Sequence, residues 1–198
     1  MDARGHGKSD KPHDPEAYTM KNRAGDVIAV LNELGIDSTH FFGYSYGGRV
    51  TFELAIHFPE RVKSLIAAGI GARGQNPDFL GDRIRILEAG PEALVAAFEQ
   101  TGSLTPDMKT RLLVNDCEAL VSILRTPWPY RENDLPVMNR PFLLLAGEFD
   151  PGFSAIEKAS KLLPDSTFIF LPGLDHMQTA SRINVVLPHV KEFLARVS

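Results

Sequence analysis

The chain has 198 residues, a length that favours one domain with a small inserted subdomain. With 43% hydrophobic and 23% charged residues, its composition is that of a globular protein, which excludes disordered, collagen-like and coiled-coil classes. Its 21 basic and 25 acidic residues give a formal net charge of −4, without the basic excess typical of proteins that bind nucleic acid or anionic lipid.

Helices and strands are predicted to alternate from the start of the chain. Apolar residues at helical spacing predict a first helix over Tyr18–Leu34, which ends at Gly35. Thr39–Tyr44 has the length and composition of a strand, and a second helix is predicted over Tyr46–His57. Val62–Ile70 is nearly continuously apolar, which is typical of a strand buried on both faces of a parallel sheet.

Residues 72–135 have a different pattern. Short helical segments broken by Gly, Pro and Asn predict an all-helical insertion here, while residues 1–71 and 136–198 are expected to form the core of the fold. The predicted helices are Asp78–Ala89, Pro91–Gln100, Pro106–Asn115 and Cys117–Arg125.

Strand patterns return after the insertion. Pro141–Ala146 and Ser166–Leu171 are predicted strands, with a helix near Ser154–Leu163 between them and a last amphipathic helix near Ser181–Arg196. Strands that alternate with helices of this length are joined by right-handed crossovers. The sequence therefore predicts an α/β fold with a mostly parallel sheet of about four strands flanked by helices.

The junction between the strand Thr39–Tyr44 and its following helix carries the sequence GYSYGG, which matches G-x-S-x-G. In such a motif the glycines leave room for a tight, strained turn that lifts Ser45 above the sheet. The alternative is an ordinary glycine-bearing turn with a capping serine. A serine hydroxyl is a poor nucleophile until a base takes its proton, so Ser45 requires a histidine and an acid.

His176 is the predicted base. It lies in a loop directly after the strand Ser166–Leu171, at the carboxyl edge where parallel sheets form ligand sites. The side chains of His40, His57 and His189 fall within or at the ends of predicted strands and helices, where packing or surface positions are expected.

The predicted acid follows the strand Pro141–Ala146, where both Glu148 and Asp150 are available. Asp150 is favoured because it lies further into the loop. Asp175 adjoins His176 and is poorly placed to face its neighbour's ring. Ser45, Asp150 and His176 would then each follow a different strand.

These residues make the sequence resemble the α/β-hydrolase family over most of its length. Asp2–Asp10 is similar to the family's D-x-R-G-x-G-x-S loop, and Gly43–Gly47 to its nucleophile elbow. Gly147–Asp150 resembles the acid loop and Gly173–His176 the histidine loop. Residues 72–135 occupy the place of the family's helical cap.

The resemblance implies a Ser-His-Asp hydrolase without a metal or organic cofactor. Ser45 would attack an acyl carbon, His176 would relay the proton and Asp150 would hold the imidazole. One oxyanion donor would be the backbone amide of Tyr46. A serine at the elbow counts against family branches with an aspartate nucleophile, such as epoxide hydrolases and haloalkane dehalogenases.

A serine esterase acting on small carboxylic esters is the favoured function. The substrate pocket is expected to include Tyr44, Trp128, Phe149 and Met177. Two alternatives remain: a carbon–carbon bond hydrolase, lactonase or acyltransferase using the same serine, or a weakly active or inactive hydrolase-like protein that binds a ligand or partner.

The sequence departs from the family at its start. The loop beginning at Asp2 normally follows four strands and a helix, about 56 residues that include the loop donating a second oxyanion amide. We therefore expect an N-terminally truncated sheet in which Thr39–Tyr44 is an uncovered edge rich in aromatic residues. Because such an edge is a pairing surface, a homodimer is expected.

The cellular location follows from two further observations. Cys117 is the single cysteine and cannot form an internal disulfide, which suits a reducing compartment. The first residues contain no apolar leader, and the longest apolar runs are far shorter than a membrane span. A cytoplasmic protein with neither a nucleic-acid nor a membrane partner is expected.

Overall fold

The computed structural model describes residues 2–74, 77–100 and 104–198. The strands are β1 (Thr39–Tyr44), β2 (Val62–Ala68), β3 (Phe142–Gly147) and β4 (Ser166–Leu171). The helices are α1 (Met20–Glu33), α2 (Tyr46–His57), α3 (Pro77–Glu88), α4 (Pro91–Glu99), α5 (Pro106–Leu113), α6 (Cys117–Arg125), α7 (Phe153–Leu162), α8 (His176–Ser181) and α9 (Ile183–Val197). Short 3₁₀ helices cover Pro15–Tyr18, Pro59–Arg61 and Glu132–Val137. None of the described helices is both long enough and apolar enough to cross a membrane.

The chain forms two compact units. A sheet unit contains Val27–Gly74 and Pro129–Ser198, and a helical unit contains Met1–Asp26 and Gln75–Trp128. In the sheet unit the four strands lie in the order β1-β2-β3-β4, and every neighbouring pair is parallel. The predicted α/β class with four parallel strands is confirmed.

The core of the sheet unit lies on both faces of the central strands. Every residue of β3 is buried, as expected for a strand that a parallel sheet covers on both sides. On one face Leu143 and Leu145 pack in a cluster with Phe193 of α9. On the other, the rings of Phe52 in α2 and Phe142 in β3 stack with centroids 5.4 Å apart.

The sheet has β1 at one edge, as predicted. Within the described residues β1 pairs only with β2, and Phe41 lies opposite Leu65 in that pairing. The side chain of Phe42 is 55% exposed. The outer backbone groups of β1 are therefore the unpaired groups of an edge strand.

The helical unit has its own small core of Leu87, Leu94 and Val121. Its N-terminal segment is attached to α6 by hydrogen bonds from side chains to backbone carbonyls. Ser122 Oγ donates to the carbonyl of His13 at 2.6 Å, and Thr126 Oγ1 donates to that of Pro15 at 2.7 Å.

The predicted division into a core of residues 1–71 and 136–198 and a helical insertion of residues 72–135 stays a prediction, and the two compact units divide the chain at other points. Residues 1–71 were expected to belong with the sheet, whereas Met1–Asp26 group with the helical unit. The hydroxyls of Ser122 and Thr126 explain the difference because they bind carbonyls more than a hundred residues earlier in the sequence.

Several helix and strand boundaries also differ from the prediction by one or two residues. The last helix predicted near Ser181–Arg196 is α9, and a further short helix, α8, lies where a loop was predicted, with His176 as its first residue. Asp175 and Gln178 form a capping box that starts α8, with Gln178 N donating to Asp175 Oδ1 at 2.7 Å. The strand β2 ends at Ala68 because Gly69 adopts a φ of +68°.

The chain leaves the sheet unit after Ala72 and returns to it before Arg131, and these two residues lie next to each other. The backbone N–H of Arg131 donates to the carbonyl of Ala72 at 2.9 Å. The guanidinium of Arg131 also donates two hydrogen bonds to Glu53 in α2, at 2.9 and 2.8 Å. Glu53 is only 1% exposed, and a carboxylate buried to that degree requires such a partner. This junction is thus fixed to α2.

Candidate active site

The turn between β1 and α2 is strained at Ser45. This residue has φ 51° and ψ −111°, and it is the only described non-glycine residue with a positive φ. Such a conformation costs about 1–3 kcal/mol and persists only when the surroundings enforce it. Here the Ser45 N–H donates to the carbonyl of Ala68 at 2.7 Å, while the Ser45 carbonyl accepts from Arg49 N at 3.2 Å. The turn is therefore held from both sides.

Glycines beside Ser45 allow the close approach of β1 and α2. A Cβ atom on Gly43 would collide with the backbone carbonyl of Gly47. A Cβ on Gly48 would lie 2.5 Å from Ile70 Cγ2. A Cβ on Gly47, in contrast, would meet no atom within 4 Å. The steric need for glycine is thus at Gly43 and Gly48, whereas the sequence motif pointed to Gly43 and Gly47.

The structure brings Ser45, His176 and Asp150 together in one hydrogen-bonded chain. Nε2 of His176 lies 3.0 Å from Ser45 Oγ, and Nδ1 lies 2.7 Å from Asp150 Oδ2. Asp150 is 5% exposed, and its second oxygen accepts from Gly152 N at 2.7 Å. Ser45 follows β1, Asp150 follows β3 and His176 follows β4, so the parallel sheet places all three at its carboxyl edge.

This arrangement defines what each ring nitrogen of His176 can do. An ionised Asp150 only accepts hydrogen bonds, so Nδ1 carries the proton that faces it. Nε2 then presents its lone pair to the Ser45 hydroxyl at 3.0 Å. The geometry suits removal of the serine proton by the imidazole, with the positive charge stabilised by the buried carboxylate.

Glu148, the other acid considered after β3, has a different partner. Its carboxylate accepts from the N–H of Gly173 at 2.8 Å. The backbone N–H of Glu148 donates to Leu171 at 3.0 Å, and that of Phe149 donates to Leu174 at 2.9 Å. Glu148 therefore links the segment after β3 to the segment that leads to His176.

Tyr44, expected in the substrate pocket, contacts the histidine. Its hydroxyl donates to the backbone carbonyl of His176, and the two ring centroids lie 5.2 Å apart with planes inclined by 44°. Burial, together with the carboxylates of Asp150 and Asp175, raises the pKa of Tyr44 above its ordinary range. No sequence motif indicated this contact, because it joins residues 132 positions apart.

The other predicted pocket residues lie in both units. Phe149 and Met177 are exposed by 64% and 48%, and they adjoin Asp150 and His176 in the chain. Trp128 is half-buried and belongs to the helical unit. Tyr46 is the first residue of α2, where the helix dipole is positive. The predicted roles of these residues stay predictions.

A model of the alpha/beta hydrolase fold family matches residues 1–101. A candidate 2-succinyl-6-hydroxy-2,4-cyclohexadiene-1-carboxylate synthase of Bacillus subtilis strain 168 is 27% identical, covering 100% of this chain and 80% of that protein. The 2-(acetamidomethylene)succinate hydrolase of Mesorhizobium japonicum is 25% identical, covering 98% of this chain and 77% of that protein. The crystal structure of the enol-lactonase from Burkholderia xenovorans LB400 superposes with a TM-score of 0.86 and 22% identity, covering 98% of this chain and 79% of that one.

Proposed function

Because this chain belongs to the α/β-hydrolase family, we propose that it is a serine hydrolase that cleaves small carboxylic esters through Ser45, His176 and Asp150. One observation carries the proposal. The hydrogen bonds of 3.0 Å and 2.7 Å join the serine hydroxyl, the imidazole and a buried carboxylate in the order that nucleophilic catalysis requires. The strained backbone at Ser45 is typical of a nucleophile elbow.

The proposed reaction has two halves. Ser45 Oγ bonds to the ester carbonyl carbon while its proton moves to His176 Nε2, and the backbone amide of Tyr46 stabilises the oxyanion. The intermediate collapses, the C–O bond to the alcohol breaks, and the alcohol leaves with the proton from Nε2. Water then attacks the acyl-enzyme, giving its proton to His176, and the carboxylic acid is released as Ser45 regains a proton.

A second candidate is related chemistry on a substrate that bears a free carboxylate. Two relatives that align with nearly the whole chain are named for a cyclohexadiene-carboxylate synthase and a substituted-succinate hydrolase. Both names specify carboxylate compounds. The same serine, histidine and aspartate would serve either candidate.

Two chromogenic esters of equal length test the candidates. We expect purified protein to hydrolyse p-nitrophenyl butyrate, and Ser45→Ala to lose at least about 1,000-fold in kcat. Fluorophosphonate should label Ser45 in the wild type and not in the variant. Equal rates in the two proteins would reject the serine mechanism. A kcat/KM at least tenfold higher for p-nitrophenyl hemisuccinate than for the butyrate would favour the carboxylate-bearing substrate.

We also infer that two copies pair through the β1 edge. Within the described residues β1 has a strand on one side only, and Phe42 on it is 55% exposed. Leu34 and Ile36, which precede β1, are exposed by 63% and 38%. Light scattering after size exclusion should show a dimer at micromolar concentration and a monomer for Phe42→Asp. A wild-type monomer would contradict this inference.

A further inference from the structure

We propose that Tyr44 is a positioning residue that holds the His176 imidazole in line with Ser45 and Asp150. The inference rests on the proposed function, and it replaces the pocket role that the sequence predicted for Tyr44. Tyr44 ends β1 directly before Ser45, so the residue that precedes the proposed nucleophile would also set the geometry of the base.

Tyr44 contacts His176 at two separate places. The phenol hydroxyl donates to the backbone carbonyl of His176, and the phenol ring lies against the imidazole with centroids 5.2 Å apart. The first contact fixes the main chain from which the imidazole extends. The second limits rotation of the imidazole about its side-chain bonds. Together they restrict the two motions that would carry Nε2 away from Ser45.

Gly69 closes the space behind this pair of rings. It follows β2 with φ +68°, and a Cβ atom there would lie 3.0 Å from Tyr44 Cε2 and 3.1 Å from His176 Cε1. A side chain at this position would therefore press on both rings, and glycine leaves them the space that they occupy. The imidazole of His176 thus has Tyr44 and Gly69 beside it, and it faces its hydrogen-bonding partners Ser45 and Asp150.

The helix that begins at His176 needs such support. It has six residues, Met177 in it is 48% exposed, and isolated helices of that length are unstable. The capping box of Asp175 and Gln178 fixes its first turn. The hydroxyl of Tyr44 adds a bond from the end of β1, the strand that also carries the chain into Ser45.

The hydroxyl remains a donor under the conditions in which the reaction would run. Burial and the carboxylates of Asp150 and Asp175 raise the pKa of Tyr44, so the phenol keeps its proton well into alkaline solution. A phenolate could not donate to the His176 carbonyl. The contact is therefore maintained at neutral and moderately alkaline pH.

Tyr44→Phe tests the proposal because it keeps the ring and removes the hydroxyl. With p-nitrophenyl butyrate we expect kcat to fall about 10- to 100-fold, as for a misplaced catalytic group, while KM stays within about twofold. We expect the wild type to show a downfield proton signal from His176 Nδ1–H, which faces Asp150 at 2.7 Å, and this signal should broaden or disappear in Tyr44→Phe. Tyr130→Phe is the matched control: it removes a hydroxyl that donates to Glu132, and both kcat and the proton signal should be unchanged.

Two outcomes would overturn the proposal. One is an unchanged kcat together with an unchanged proton signal. The other is a raised KM at unchanged kcat, which would return Tyr44 to the substrate pocket. If Tyr44→Phe does not fold, Gly69→Ala should give the same loss of kcat and of the signal, since its methyl group displaces both rings. The proton signal needs no turnover, so it tests Tyr44 even if the wild type proves inactive on esters.

Discussion

The carboxylate of Glu148 accepts a hydrogen bond of 2.8 Å from the backbone N–H of Gly173. Two residues after Glu148, Asp150 instead bonds the imidazole of His176 at 2.7 Å. Both acids follow the same strand, yet one holds the backbone of the histidine segment and the other faces the ring. Their substitutions should therefore have different consequences.

Asp150→Asn should lower kcat by about 10,000-fold, because an amide neither stabilises the imidazolium nor fixes the tautomer of His176. Glu148→Gln should keep most of the activity, since its amide oxygen still accepts from Gly173. Hydrolysis of p-nitrophenyl butyrate by the two variants is the measurement. The reverse order of activities would identify Glu148 as the acid.

Ser45→Gly should be more stable than Ser45→Ala by about 1 kcal/mol. Glycine adopts a φ of 51° without the strain of about 1–3 kcal/mol that alanine retains, although it gives back about 0.4–1 kcal/mol through a more flexible unfolded chain. Urea denaturation of the two inactive variants compares them directly. A more stable alanine variant would show that the turn is unstrained.

Gly43→Ala and Gly47→Ala should differ although both glycines belong to the same motif. The methyl group on residue 43 collides with the Gly47 carbonyl, an overpacking that typically costs about 1–3 kcal/mol. The methyl group on residue 47 meets nothing within 4 Å, and alanine is the better helix former, so no stability should be lost. Urea midpoints provide the test, and equal losses in the two variants would contradict it.

The contribution of His13 to stability should depend on pH. The hydrogen bond to Asp116, assisted by the charges of Asp116 and Glu118, raises the pKa of His13. Its Nε2 lies 3.0 Å from Asp116 Oδ2, and Nδ1 lies 3.2 Å from Glu118 Oε1. A raised folded-state pKa means that the stabilisation is complete below the unfolded value of about 6.5 and is lost as the pH rises through the folded value.

The thermal midpoint of His13→Gln should accordingly lie below that of the wild type at pH 5.5, with the gap closing by pH 8.5. Asp116 remains ionised at the lower pH: burial opposes ionisation, but the hydrogen bond from His13 and the backbone bonds outweigh it and lower the pKa of Asp116. Thermal unfolding monitored by circular dichroism at the two pH values is sufficient. A gap that is constant across this range would show that the ring contributes no charge-dependent stability.

Local patterns were sufficient to predict most of the fold. The bounds of β1, α2, α6 and β4 agree with the sequence, because apolar runs there end at polar residues, Gly or Pro. The start of α8 was missed, yet its signal was present: Asp175 and Gln178 have the spacing of a capping box.

Contacts between distant segments could not be predicted in the same way. Ser45, Asp150 and His176 were selected because each follows a strand, a topological property that the sequence reveals. The contact of Tyr44 with His176 depends on where a side chain points once two strand ends meet. The attachment of His13 and Pro15 to α6 depends on the hydroxyls of Ser122 in α6 and of Thr126 directly after it, and nothing in the local sequence distinguishes these two residues.

A backbone hydrogen bond joins Ala72 and Arg131, so the stretch between them is suited to replacement as one segment by the corresponding stretch of a relative. Both ends are anchored at one point of the sheet unit, and doubling the length of a flexible connection costs only about 0.6 kcal/mol in closure entropy. Grafts between relatives at these two residues should preserve the local backbone. Such a graft must also carry the segment around His13 and Pro15, since the carbonyls of these two residues accept the hydrogen bonds from Ser122 and Thr126. The exchangeable module is therefore discontinuous in sequence, and its two pieces are expected to evolve together.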